Sequence, residues 1–375
     1  MKIVKAGFKR ITEPSPTKKI EQIARLCYKS EDKIAEGTDI KMIQSLMRRG
    51  HTAMLEHASA CVEVDYETYA LILDVVRCNM QDVYTNPLDD PRANKYPGNS
   101  YLRFTRLADF KHAAEVILDN PADIASGFSM GFVRFLISGN MRAWLETFAV
   151  LQEYGCLPTV VCNALVDYAG GENGILGAYM DCGEVDEYYD YEANDAFANL
   201  ITDYTKLTDA ERMIHEDISI QFTTDRGVTH ELVRHRDGCS FAQESTRYCN
   251  YAQDKFDQEI TVIAPCFFDV DDPDHANLYA YWAAAMEFAE TKYMELLDNG
   301  ATPQQARTAL PHSVKADIVI TTNLREWHHI LALRACDVTG AAHPQMHEIM
   351  QPLLVDLRND YSFAFGDLKM LHENA

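Results

Sequence analysis

The chain has 375 residues, 47% hydrophobic and 24% charged, enough apolar content to bury a sizeable core in one large or two medium domains. A formal charge of -23 excludes broad, non-specific nucleic-acid binding, whose affinity comes mainly from neutralising phosphates with Lys and Arg. The ten cysteines are scattered without a C-x-x-C pair, which indicates neither a disulfide framework nor a zinc ribbon, and no apolar run approaches the ~20 residues that span a bilayer.

MKIVKAGFKR lacks the apolar core and small-residue cleavage site of a secretory leader, so a cytoplasmic protein is expected. KKIEQIARLCYKS (18–30) sets Ile20, Ile23, Ala24 and Cys27 at helical spacing. IKMIQSLMR (40–48) repeats the pattern with Ile40, Ile43 and Met47, and stops at Arg48-Arg49-Gly50. In the following HTAMLEHASACVEVD, the residues Ala58, Ala60, Val62 and Val64 alternate with polar ones as in a half-buried strand. Residues 66–213 differ in character: NPLDDPRANKYPGNS (86–100) reads as a long surface loop and DCGEVDEYYDYEAND (181–195) as an acidic, tyrosine-rich excursion. Inside this segment Ser138–Trp144, SGNMRAW, echoes Thr321–Trp327, TTNLREW, either as a shared helix-start pattern or as a trace of duplication.

ISIQFTT (218–224) is strand-like. Asp225-Arg226-Gly227 then reads as a turn and VTHELVRHR as a helix that ends at Asp237-Gly238. Residues 279–298 are rich in helix formers, and Thr302-Pro303 offer a cap and a first-turn proline for QQARTAL.

Two constellations carry chemistry. RHRDGCSFAQESTRY (234–248) gathers Arg234, His235, Arg236 and Arg247 with Ser240, Gln243 and Ser245; guanidinium forks donate paired hydrogen bonds and stay charged at any working pH, which suits phosphate. Its alternative is a solvated basic helix end. In NLREWHHILALR (323–334), Asn323, Arg325, His329 and Arg334 interrupt an apolar helix, and Arg334 in its apolar setting needs an ion-pair partner or a bound anion. His51, Glu56 and His57, or His343 and His347, lack metal-ligand spacing with a third donor and read as helix-end histidines. Ser245 has no base beside it in sequence, so it reads as a hydrogen-bonding hydroxyl rather than a nucleophile.

RHRDGCSFAQESTRY resembles the R-H-R-x(7 or 8)-S signature of flavin-dependent thymidylate synthases, with eight residues between Arg236 and Ser245. GHTAMLEH resembles the family's G-H-x-S-x-x-E-H segment, and ISIQFTTDRGVTHELVRHR, GATPQQARTALP and NLREWHHILALR extend the likeness over about 20–65 and 214–360. The resemblance implies an α+β fold, a mixed sheet with flanking helices of that family's type. Residues 1–65 and 214–375 would form the catalytic domain, and 66–213 a large, mainly helical insertion or degenerate repeat. It also implies a homotetramer with shared active sites that converts dUMP to dTMP, with methylenetetrahydrofolate and NADPH as co-substrates, FAD as cofactor, and no nucleic acid or membrane as partner. The alternative is a nucleotide- or nucleic-acid-binding protein that keeps the arginine pocket without turnover.

By matching position, the resemblance assigns Ala53, Arg234, His235, Arg236, Gln243, Asn323, Leu324, Arg325 and His329 to FAD. It assigns Glu231, Arg234, Gln243, Glu244, Ser245, Thr246, Arg247, Arg307 and Arg334 to dUMP, with Arg334 favouring ionisation of the uracil ring. Glu231 and His329 stand where relatives can carry Gln and Asn.

Overall fold

A computed structural model describes residues 1–78, 102–104, 135–153, 155–179, 196–268 and 271–370. The expected loop at 86–100 and the acidic excursion at 181–195 lie outside these residues. The elements are β1 (Lys2–Val4), β2 (Gly7–Ile11), α1 (Pro16–Tyr28), α2 (Thr38–Arg48), β3 (Ser59–Val64), α3 (Tyr66–Cys78), β4 (Arg103–Phe104), β5 (Phe135–Asn140), α4 (Met141–Glu153), α5 (Thr159–Val166) and β6 (Ala198–Leu200). They continue with α6 (Asp209–His215), β7 (Asp217–Asp225), α7 (Arg226–Leu232), β8 (Ser240–Gln243), β9 (Thr261–Ile263), α8 (Pro273–Asp298), α9 (Pro303–Ala306), β10 (Lys315–Asn323), α10 (Leu324–Arg334), α11 (Pro344–Asp360) and α12 (Ser362–Phe365). Helices and open sheets together make this an α+β chain.

The chain divides into two compact units: Met1–Thr12, Gln22–Ile34 and Ile218–Ala375 form the first, Glu13–Glu21 and Ala35–Asp217 the second. The first holds a four-stranded sheet ordered β2-β7-β10-β8 and a parallel pair β1-β9. Strand β10 is buried from Ala316 to Thr322, with the apolar Ile318-Val319-Ile320 at its centre. Trp327 of α10 packs on Phe222 of β7 with ring centres 6.2 Å apart, and Met346, Ile349, Met350, Leu353, Leu354 and Leu357 turn one face of α11 into the core.

The second unit holds a sheet ordered β4-β5-β3-β6. The segment expected to be mainly helical thus supplies strands as well, since β4, β5 and β6 complete the sheet around β3. β3 departs from simple alternation: Cys61, on the face opposite Ala60 and Val62, is fully buried because Leu207, Ile201 and Tyr204 cover it.

The helix pattern at 18–30 is realised: Ile20, Ile23, Ala24 and Cys27 are all buried along α1. Near the signature the structure corrects two expectations. Asp225 does not open a turn; its Oδ1 accepts the Val228 N–H at 2.8 Å and caps α7 directly after β7. Nor does α7 reach the arginines. It ends at Leu232, where the N–H groups of Arg234 and His235 bond back to the carbonyls of Glu231 and Leu232 at 3.2 Å, a tightened turn that lets the chain reverse through Gly238 (φ +64). Arg234, His235 and Arg236 therefore stand on a connecting turn rather than within the helix.

Candidate functional site

Two neighbouring antiparallel strands of the first unit organise the site. β8 runs against β10 with Ser240 opposite Thr321 and Gln243 opposite Ile318. Everything just before β8 (the basic turn) and just after β10 (the start of α10) is thus brought to one end of this strand pair. The Thr322 hydroxyl donates to the Gly238 carbonyl at 3.0 Å and pins the turn. Asn323 ends β10 and caps α10, its Oδ1 accepting the Glu326 N–H at 2.9 Å. Arg325 and His329 are exposed on α10, whereas the Leu324 side chain is wholly buried, so contact from that residue to a ligand is confined to its main chain.

Arg334, flagged as an arginine in an apolar run, is held from two sides. Its Nε–H donates to His235 Nε2 at 3.0 Å and its Nη1 lies 3.4 Å from Glu231 Oε2, at the end of α7. Glu231 is thereby drawn toward a guanidinium, which removes the repulsion an isolated carboxylate would exert on an anionic ligand. Burial, then the positive charge of Arg334 and the neighbouring His329, lowers the His235 pKa to about 4. The ring is neutral near pH 7, and because Nε2 accepts from Arg334 its proton sits on Nδ1.

One group was not foreseen. His235, Glu326 and His329 bring ligand-type atoms within 4.8 Å of one another. His235 is a poor metal donor here: its accepting nitrogen is taken by Arg334, the other carries the proton, and the guanidinium repels a cation. Burial, reinforced by Asp237, pushes Glu326 up to about 7, so this carboxyl titrates near neutrality beside His235 and His329. The sequence signal was a lone Glu between Arg325 and Trp327, indistinguishable from an ordinary first-turn acid.

After β8 the chain carries Glu244–Arg247. The Gln243 amide donates to Thr229 Oγ1 at 2.9 Å. Glu244, expected on the nucleotide-phosphate side, has its carboxylate buried in an ion lattice. Lys315 Nζ lies 2.9 Å from Glu244 Oε2 and 2.6 Å from Asp317 Oδ2, Lys29 bridges the same two carboxylates, and the Tyr251 hydroxyl donates to Glu244 Oε1 at 3.3 Å. Thr223 Oγ1 donates to the other Asp317 oxygen at 2.6 Å. Burial alone would raise the Asp317 carboxyl, but Lys315 and Lys29 hold it well below the usual carboxylate range. The lattice forms part of a cavity of about 340 Å³ that is also lined by Glu31, Asp32, Lys255 and Phe256. Lys29, Lys315 and Asp317 were missed because nothing in a strand start such as KAD marks a buried ion pair.

The Ser245 N–H donates to the Cys27 carbonyl at 3.2 Å, and Ser245 Oγ accepts the Arg247 N–H at 3.3 Å. Thr246 is buried, while Arg247 is exposed, with its Nε donating to Gln304 Oε1 at 3.1 Å and its guanidinium 5.6 Å from the Tyr248 ring centre. Arg307 is exposed where α9 passes into a one-turn 3-10 helix. Cys239 and Cys249, on either side of β8, are buried, and burial pushes Cys249 up to about 11, which leaves it without a thiolate at neutral pH. Ala53 is exposed on the 3-10 helix Thr52–His57 of the second unit. His347 Nε2 lies 2.8 Å from the accepting Asp337 Oδ1, and His343 caps α11.

The family model described as thymidylate synthase complementing protein matches residues 11–84 and 164–359, well over half of the chain. The chain belongs to that family. It is 37% identical over 112 residues to a flavin-dependent thymidylate synthase of Pyrococcus furiosus, covering 30% of this chain and 43% of that protein. To the enzyme of the same description from Mycolicibacterium gilvum it is 34% identical over 139 residues, covering 33% and 51%. These matches span about half the length of the curated relatives. Among solved structures, a UMP/dUMP methylase, PolB from Streptomyces cacaoi bound with 5-Br dUMP, aligns at 20% identity and a TM-score of 0.34 over 40% of this chain and 71% of that one.

Proposed function

We propose that the protein is a flavin-dependent thymidylate synthase that methylates dUMP to dTMP, with methylenetetrahydrofolate as one-carbon donor and FAD recharged by NADPH. In this reading it works in the cytoplasm as a homotetramer with shared sites, residues 1–65 and 214–375 form the catalytic domain, and 66–213 is an insertion or a degenerate repeat. The observation that carries it is Arg334: a guanidinium fixed by neutral His235 and by Glu231 beside the basic turn, at the end of the strand pair that also presents Arg325, while the Gln243–Arg247 loop leaves the opposite end.

The donor set fits the flavin. Arg234, Arg236 and Arg325 are exposed cations suited to a diphosphate, and the Asn323 and Gln243 side chains and the His235 and His329 rings, 6.3 Å apart, suit a flat heteroaromatic ring with polar edges. The Leu324 main chain completes this set. The bound flavin supplies hydride carriage; the chain binds, orients and polarises. Arg334 stabilises negative charge that develops on the uracil ring, and its partners hold it there without reorganisation. Arg307 and Arg247, together with the hydroxyls of Ser245 and Thr246, take the nucleotide phosphate. Glu244 keeps their loop in shape through its lysine lattice. No helix among the described residues is long and apolar enough to cross a membrane.

A visible absorption spectrum of the purified protein tests the reading. A flavin band that NADPH bleaches without air, with dTMP formed only when dUMP and methylenetetrahydrofolate are both added, is expected. Protein that stays colourless after addition of FAD and dialysis overturns it, and dUMP binding without turnover favours a binding protein instead.

A further inference from the structure

The echo between SGNMRAW and TTNLREW is structural as well as textual. In the first unit, β10 ends at Asn323, whose Oδ1 caps α10, and Trp327, fully buried, donates its indole N–H at 3.2 Å to the carbonyl of Ile218, the second residue of β7. In the second unit, β5 ends at Asn140, whose Oδ1 accepts the Ala143 N–H at 2.8 Å and caps α4. Trp144, fully buried, donates at 3.2 Å to the carbonyl of Ala60, the second residue of β3. In each unit the accepting strand neighbours the strand before the tryptophan helix. Each accepting strand also runs into an aspartate that caps the next helix: Asp225 accepts from Val228 N–H before α7, Asp65 from Thr68 N–H before α3, both at 2.8 Å. A helix-start pattern alone accounts for the asparagine; it does not account for a buried indole bonded to the same position of the corresponding strand.

Counting from these shared anchors shows what differs. Nine to eleven residues past Asp225 stand Arg234, His235 and Arg236; the same distances past Asp65 give Asp74, Val75 and Val76. Eleven residues past Asn323 stands Arg334; past Asn140 stands Leu151, fully buried. Arg325 has a counterpart in Arg142. Arg325 is exposed, whereas Arg142 donates to Glu56 Oε1 at 2.8 Å and to Glu146 Oε1 at 2.7 Å. A guanidinium already committed to two carboxylates has no net charge left to offer an incoming phosphate.

We propose that the chain is an internal duplication in which the module β3-α3-β5-α4 of the second unit is a ligand-silent copy: its strands and helices are kept for packing, the residues at the anion-binding positions are lost, and the one arginine retained among those positions, Arg142, serves as a structural clamp. One chain then carries one basic flavin and nucleotide site. The nature of that ligand rests on the function proposed above, and the silence of the copy does not. Two probes separate the two ideas: FAD, and inorganic pyrophosphate as the bare anion.

Titration of the full chain is expected to give one FAD per chain. Arg325→Ala weakens FAD at least about tenfold and removes any rise in melting temperature with pyrophosphate. Arg142→Ala leaves both ligands within about twofold while lowering the melting temperature of the ligand-free protein. If that variant does not fold, Glu146→Gln keeps the Glu56 pair and is expected to show the same pattern more mildly. Two FAD per chain, loss of the pyrophosphate effect in Arg142→Ala, or an unchanged melting temperature for that variant overturns the proposal. A wild-type protein that binds pyrophosphate but no FAD overturns the flavin reading instead.

Discussion

At the scale of single residues, Arg334 and its two partners decide most. Its replacement by Ala removes a preorganised cation and also leaves neutral His235 without its donor, so turnover is expected to fall on the order of 10²-fold, measured as dTMP formed per active site. Two titrating neighbours give the ligand-free protein an acid and an alkaline limb. The unfolded chain takes up a proton on His235 near 6.5 while the folded one resists to about 4, so stability is lost as pH falls from 6.5 toward 4. For Glu326 the unfolded chain ionises near 4.5 and the folded one near 7, so stability is lost as pH rises from 4.5 through 7. Thermal unfolding across this range is expected to flatten on the alkaline side in Glu326→Gln and on the acid side in His235→Asn. A Glu326→Gln curve that overlays the wild type contradicts the assignment. Of these features the sequence disclosed only that Arg334 needed a partner, because a hydrogen bond between residues 99 apart leaves no local pattern.

Among the elements, the start of α10 and the lysine lattice beneath β8 position the site. Asn323→Ala removes the cap of α10 and is expected to cost about 1 kcal/mol in denaturant unfolding. Lys29→Met breaks a largely buried ion network and leaves the Glu244 and Asp317 carboxylates to share the Lys315 cation, with only the Tyr251 and Thr223 hydroxyls beside it. A loss of about 3–5 kcal/mol is expected, with weaker dUMP binding, because the chain from Glu244 to Arg247 loses its anchor. Retention of full stability in Lys29→Met shows the network to be dispensable. Helices α1 and α2 were legible because apolar residues recur at helical spacing and decide burial locally. The end of α7 was not legible: VTHELVRHR continues a helical pattern, whereas the chain leaves the helix after Leu232 and enters β8, which pairs with the distant β10.

For the molecule as a whole, the -23 charge sets a repelling background in which only a local cluster of arginines holds an anion. Calf-thymus DNA is therefore expected not to displace dUMP at physiological salt, and displacement would show the pocket to be less selective than its setting implies. No disulfide joins the cysteines whose side chains are described, so the melting temperature is expected to be the same with and without reductant.

From the sequence alone came the family motifs, the reduced-thiol chemistry, the amphipathic helices, the arginine clusters and the echo at 138–144, all properties of residue type and short-range order. Tertiary structure alone decided that the basic triplet sits on a turn, that Glu244 is committed to buried lysines, that Glu326 joins His235 and His329, and that Arg142 is neutralised while Arg325 is not. Each of those is a matter of which distant charge comes within hydrogen-bonding reach, and strand pairing across tens to hundreds of residues sets that.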